Sequence, residues 1–275
     1  MASNDALWTE AHLTLSGHQV FYRRSPDVEG SIPIVHVHGF GISGSYLMPT
    51  ARLLTDRAPN FVPDMPGYGR SERWDHTLGI PALAHALVAM LDQLGFDKVI
   101  LVGNSMGCAI SLEVAHAVPD RVHRVVLVSP AGGVANQPLA RALRQMAVDG
   151  VRESPKMARI AVPDYLKFGP INTLNLLGEL TRFPALERLL AVPVPALAVI
   201  GSKDPLMPAP SRVREVSTLA PDHVTVVLIE GAAHAINFSH PGELAHVITS
   251  WLDDEEIVDD PDQPGLTRVL QLPRS

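Results

Sequence analysis

The chain has one cysteine, Cys108, among 275 residues. It cannot make an internal disulfide, which fits a reducing, cytoplasmic setting and gives no support for secretion. The N-terminus, Met1-Ala2-Ser3-Asn4-Asp5, lacks the basic stretch and apolar run of a signal peptide. No apolar run is long enough to span a bilayer, and the most apolar interior stretch, 191–200, is interrupted by Pro193 and Pro195. A surplus of positive charge is also missing. The 22 Lys and Arg against 29 Asp and Glu give a net charge of −7, which argues against nucleic acid as a partner. No internal repeat is present. With 46% hydrophobic residues, the chain is long enough for one large globular domain carrying an insertion.

The acidity is uneven. Segment 251–275 holds seven carboxylates against Arg268 and Arg274, and so carries five of the seven excess negative charges. The body before it is close to neutral.

Short apolar runs alternate with helix-like runs. Gln19–Arg23, Ile34–Val37, 99–102 and 125–128 read as strands, the last three apolar on both faces. Between them Leu83, Leu87, Met90, Leu91 and Leu94 make a helical stripe that Pro81 opens and Gly95 closes. Doubly apolar strands separated by helices predict a mostly parallel sheet covered on both sides. The rhythm stops over 132–191, where only helical patches and many basic residues occur, among them Arg141, Arg152, Lys167, Arg182 and Arg188. Strands resume at 196–200 and Val224–Ile229, and a last helix covers about 241–252. The gap is too long for a single crossover and predicts a helical insertion.

One turn carries chemistry. Gly103-Asn104-Ser105-Met106-Gly107 follows an apolar strand and opens a helix. A strand-to-helix turn this tight needs nearly side-chain-free flanks, and it lifts the serine hydroxyl above the sheet. Serine becomes a nucleophile only when a base takes its proton, and a histidine base needs a carboxylate to hold its tautomer. Among twelve histidines, His234 falls on the loop just after the strand 224–229. Asp204 falls just after the strand 196–200, whereas Asp222 precedes a strand, on the wrong edge for a site at carboxyl ends. His240 and His246 read as a cap and a surface residue. The catalytic assignment is therefore Ser105, Asp204 and His234. The loop His38-Gly39-Phe40-Gly41 ends the strand Ile34–Val37. The backbone N–H groups of Phe40 and Met106 are assigned as the oxyanion donors, with His38, Gly39 and Gly41 as supporting loop. His38 itself reads as structural, and Cys108 as a small packed side chain.

With these residues in order, and with Asp64-Met65-Pro66-Gly67-Tyr68-Gly69-Arg70-Ser71 between them, the sequence resembles the α/β-hydrolase fold superfamily over roughly 13–252. The resemblance implies an eight-stranded, mostly parallel sheet flanked by helices. It implies a core formed by 1–131 and 192–252, a helical cap at 132–191, and a solvated or loosely docked acidic tail at 253–275. It further implies a structural role for Asp64 and a mechanism with neither cofactor nor metal. The expected activity is hydrolysis of a small or medium apolar ester, thioester, lactone or amide through an acyl-enzyme. Serine at 105 disfavours haloalkane dehalogenase and epoxide hydrolase chemistry, in which the nucleophile is an aspartate. Asn104-Ser105-Met106-Gly107 also looks like the carbon–carbon bond hydrolases of aromatic ring-fission products, although Ile42 and Ala235 depart from their pattern. A perhydrolase side activity and a non-catalytic receptor on the same fold stay open. The expected partner is a small-molecule substrate, with no nucleic acid and no membrane; relatives that dimerise through the cap leave a homodimer open.

Overall fold

The computed structural model describes residues 8–271. Two hairpin strands, β1 (Thr9–Leu15) and β2 (His18–Arg24), lead into β3 (Ile34–Val37), α1 (Met48–Leu53) and β4 (Asn60–Pro63). Then follow α2 (Ile80–Gln93), β5 (Val99–Asn104), α3 (Met106–Ala117) and β6 (Val122–Val128). Four helices come next: α4 (Leu139–Arg152), α5 (Pro155–Phe168), α6 (Pro170–Arg182) and α7 (Ala185–Leu190). The chain returns through β7 (Ala196–Gly201), α8 (Pro210–Ser217), β8 (Val224–Ile229), α9 (Ile236–Ser239), α10 (Pro241–Leu252) and β9 (Thr267–Gln271).

All nine strands form one mixed sheet in the order β1-β2-β4-β3-β5-β6-β7-β8-β9. The five pairings from β4 through β8 are parallel, and those at either edge are antiparallel. Every residue of β5 is buried. Its side chains alternate between two core layers: Val99 and Leu101 pack on the side of α2 and α3, while Ile100 and Val102 pack with Leu244, Val247 and Ile248 of α10. That explains the unbroken apolar run, since helices cover both faces of a parallel sheet. Leu83, Leu87, Met90 and Leu91 of α2 are fully buried, and Gly95 ends the helix at φ +67°. Among the described residues no helix is long and apolar enough to cross a membrane.

Three strands go beyond the sequence reading. β1 is hidden by its polar residues, and β4 by its length of four residues with Asn60 and Pro63 at its ends. The third, β9, corrects the expectation for the tail. It adds a ninth strand to the eight expected, pairing antiparallel with β8. The acidic stretch is docked by its own carboxylates. Asp253 pairs with Arg57 at 2.5 Å and Asp254 with Arg124 at 2.8 Å. Asp259 accepts from the N–H groups of Gly265 at 2.9 Å and Thr267 at 2.7 Å, and Ile257 is buried against α10. Clustered charge reads as solvated chain in a sequence, because the arginines that pair with Asp253 and Asp254 lie 130 or more residues away.

Candidate active site

Ser105 sits between β5 and α3 at φ +57° and ψ −119°, a conformation that non-glycine residues avoid. Its neighbours explain how the turn is reached. A Cβ at Gly103 would overlap the carbonyl of Gly107, and a Cβ at Gly107 would overlap the carbonyl of Val37. Both positions exclude any side chain, as the motif predicts. Ser105 is 6% exposed, at the floor of a cavity of about 450 Å³.

The same cavity is lined by His234, Phe40 and Gly39, so the loops after β3, β5 and β8 converge there. His234 Nδ1 bonds Asp204 Oδ2 at 2.7 Å, and the other oxygen of Asp204 accepts the Leu206 N–H at 2.8 Å. Both carboxylate oxygens are thus held, which fixes the imidazole with Nε2 free of Asp204. Burial works against a charged imidazole. The charge and hydrogen bond of Asp204, joined by the charges of Asp149 and Glu153, overcome it and raise His234 to about 9. Among the described residues the Ser105 hydroxyl makes no hydrogen bond, so Ser105 and His234 share the cavity without yet bonding each other.

The two expected donors are placed by ordinary chain geometry. The Met106 N–H opens α3, where a helix has no internal acceptor. The Phe40 N–H follows Gly39, whose N–H is taken by the Tyr46 hydroxyl at 2.8 Å. Met106 itself is fully buried and its side chain does not reach the cavity. Gly41 turns at φ +70°, and a Cβ there would overlap the ring of Tyr165. His38 donates from Nδ1 to Gly39 O and accepts from Met65 N–H at Nε2, both at 2.8 Å. Burial lowers its basicity, so it stays neutral and structural. Asp64 is equally structural, accepting from Arg23 Nη1, Gly44 N–H and Arg70 N–H at 2.8–2.9 Å. The Cys108 thiol points at the carbonyls of Gly103 and Val128, and burial pushes its pKa up. His240 bonds Ser239 and His246 bonds the Val258 carbonyl, both away from the cavity.

The roof comes from the inserted helices. Met146, Met157, Val162, Tyr165, Leu177 and Leu180 contribute apolar wall. Tyr165 and Leu177 face the cavity, whereas some other large apolar side chains of the insertion do not. Phe168 stacks on Tyr68 with ring centroids 4.8 Å apart, Leu176 and Phe183 are core, and Leu174 is exposed. The basic residues point elsewhere: no Lys or Arg is among the residues lining the cavity. Arg188 pairs with Glu113 at 2.9 Å, Arg152 donates to the Lys203 carbonyl at 2.7 Å, and Lys167 donates to the Gly69 carbonyl. Among the described residues, the charged side chains that do line it are two carboxylates, Asp149 and Glu153. Asp149 Oδ1 accepts the His234 N–H at 3.3 Å, and Glu153 Oε1 accepts the Ala235 N–H at 2.7 Å. Burial raises the pKa of both, Asp149 to about 6. Asp149 lies on α4 and Glu153 is the extended residue just past its end, so no single helical face relates them in the sequence. A larger cavity of about 640 Å³, lined by Ala198, Ile200 and Val226 with Arg141, Arg182 and Arg212, contains none of the assigned site residues.

Comparison with known proteins agrees with this architecture. Residues 32–164 match the model of the alpha/beta hydrolase fold family. Lipase LipV of Mycobacterium tuberculosis is 33% identical over 146 residues, 48% of this chain and 50% of that protein. The dihydrolipoyllysine-residue acetyltransferase component of the acetoin cleaving system of Pseudomonas putida is 31% identical over 204 residues, 66% of this chain and 54% of that protein. The chain thus spans about half the length of these curated relatives. A thermophilic esterase from Thermogutta terrifontis superposes with a TM-score of 0.67 at 20% identity, covering 90% of this chain and 98% of that one. The family match over 32–164 and the superposition lead to one assignment: the chain has the α/β-hydrolase fold.

Proposed function

We propose that the protein is a serine hydrolase that cleaves a small or medium, apolar ester, thioester, lactone or amide. The observation that carries this reading is the 2.7 Å His234–Asp204 bond beside a strained Ser105 in one apolar cavity. Neutral His234 Nε2 takes the hydroxyl proton as Ser105 Oγ attacks the carbonyl carbon. Asp204 holds the imidazolium that forms. The carbonyl oxygen becomes an oxyanion between the N–H groups of Phe40 and Met106, where each donor contributes about 3–4 kcal/mol to the barrier. His234 then gives its proton to the leaving group, and the acyl chain stays on Ser105. Water, deprotonated by the same imidazole, attacks that ester, and the acid leaves as Ser105 recovers its proton.

The cavity volume and its methionine and leucine walls suit a medium-sized apolar group. The inserted helices act as the cap. The names of the lipase and esterase relatives point the same way. Carbon–carbon hydrolysis of anionic ring-fission products is the weaker reading, because a guanidinium or ammonium should face Ser105 and none lines the cavity. Fluorophosphonate labelling tests the proposal. Intact protein should be labelled at Ser105 and should turn over 4-nitrophenyl butyrate, and Ser105→Ala should do neither. Folded wild-type protein that is neither labelled nor active would refute it, while labelling without steady-state turnover would favour a receptor.

A further inference from the structure

The mechanism above makes no use of Asp149 and Glu153, although both line the cavity that holds Ser105. Each has one oxygen occupied by the histidine loop, Asp149 Oδ1 by His234 N–H and Glu153 Oε1 by Ala235 N–H. Glu153 Oε2 is different. It is buried and has no hydrogen-bond partner. A buried carboxylate oxygen without a donor is unfavourable, and a ligand that brings a donor or a positive charge removes that penalty. Among the described residues no cation does so, since neither Lys nor Arg lines the cavity.

From this geometry we infer that Asp149 and Glu153 set the charge a substrate is allowed to carry: the cavity accepts neutral or cationic esters and rejects those bearing a carboxylate. The inference rests on Ser105's cavity being the substrate site. An incoming carboxylate would meet three others, Asp149, Glu153 and Asp204, around a single imidazole. Asp149 and Glu153 are half-buried and Asp204 is buried, so that repulsion is screened less than at a free surface. A quaternary ammonium would instead find negative charge already in place, and a hydroxyl would find an acceptor. The charged residues of the insertion that look most suited to anions, Arg152 and Lys167, are held by backbone carbonyls outside the cavity. Electrostatic selection by one sign of charge is a common way to suppress wrong substrates.

The test separates binding from catalysis. Titration calorimetry on Ser105→Ala protein compares three 4-nitrophenyl esters of matched length with a neutral, a carboxylated or a quaternary-ammonium acyl end. A second series places the same charges on the alcohol side of a methyl-capped acyl group. The carboxylated ester should bind at least ten-fold more weakly than the neutral one in at least one series, and the ammonium ester no more weakly than the neutral one. In Asp149→Asn/Glu153→Gln on the same background the neutral-to-carboxylated ratio should move toward one. The ratio is taken within each protein, so a general loss of affinity cancels. The ligand series on the parent protein stands alone if the double variant fails to fold. Equal binding of neutral and carboxylated esters in both series, a ratio that the variants leave unchanged, or binding of none of the esters overturns the inference. Turnover of the neutral ester by wild-type protein decides the hydrolase reading separately.

Discussion

The Tyr46 hydroxyl donates to Asn104 Oδ1 at 2.6 Å while accepting the Gly39 N–H at 2.8 Å. Asn104 in turn donates to the carbonyls of Val128 at 3.0 Å and His234 at 3.2 Å. One buried phenol therefore ties the loop before Phe40 to the residue before Ser105, and through it to the histidine loop. Tyr46→Phe leaves the Gly39 N–H buried without an acceptor, which costs about 1–3 kcal/mol of stability. Misplacing the Phe40 donor should also lower kcat about 10- to 100-fold with little change in KM. Steady-state kinetics with a neutral aryl ester, alongside a thermal melt, checks both. A loss confined to stability would make Tyr46 merely structural.

The raised basicity of His234 predicts the pH profile. The imidazole must be neutral to take the serine proton. With its pKa near 9, kcat/KM should climb as pH rises and level off above about 9. The groups facing it are Asp204, Asp149 and Glu153, all of which favour the protonated ring. Removing one of these charges in Asp149→Asn should shift the limb to lower pH. A limb near the ordinary histidine value in wild-type protein would contradict this.

Asp149 should also govern stability in the opposite sense to a paired carboxylate. Its pKa rises from 3.8 to about 6 on folding, mainly through burial, so the folded chain holds the proton more tightly than the unfolded one. Stability is then lost as pH rises through that interval, and the ionised group above it costs up to about 3 kcal/mol, less what solvent screening removes. Asp149→Asn keeps an acceptor for the His234 N–H. It should raise the melting temperature at pH 8 and leave it nearly unchanged at pH 3. Differential scanning calorimetry at the two pH values reads the difference.

Residues 253–271 carry β9 and the buried Ile257. Burial of one such isoleucine contributes about 1.5–3 kcal/mol. Deleting the chain after Leu252 also bares the edge of β8 and leaves Arg57 and Arg124 without Asp253 and Asp254. The truncated protein should melt several degrees lower and aggregate more readily. Its kcat at low temperature should persist, since no residue of that segment lines the cavity. An unchanged melting curve would show that the docking is energetically idle.

The parts of this structure that were legible in the sequence are those where local geometry restricts residue type. Gly103 and Gly107 flank Ser105 because carbonyls lie where their side chains would be. Asp204 and His234 were found from strand ends, since a parallel sheet brings its loops to one edge. Tyr46 carries no such signal, because its partner Asn104 lies 58 residues away. Asp149 and Glu153 were missed for a related reason. Charge on an inserted helix reads as solvated surface until the orientation of that helix is known. The tail misled in the same way, with its cationic partners far back in the chain.

Asp149 on α4 and Glu153, the residue just past its end, bond the N–H groups of His234 and Ala235. The inserted segment that roofs the cavity therefore also steadies the backbone carrying the base. Truncating either side chain to alanine removes a brace on that backbone together with a charge from the cavity wall.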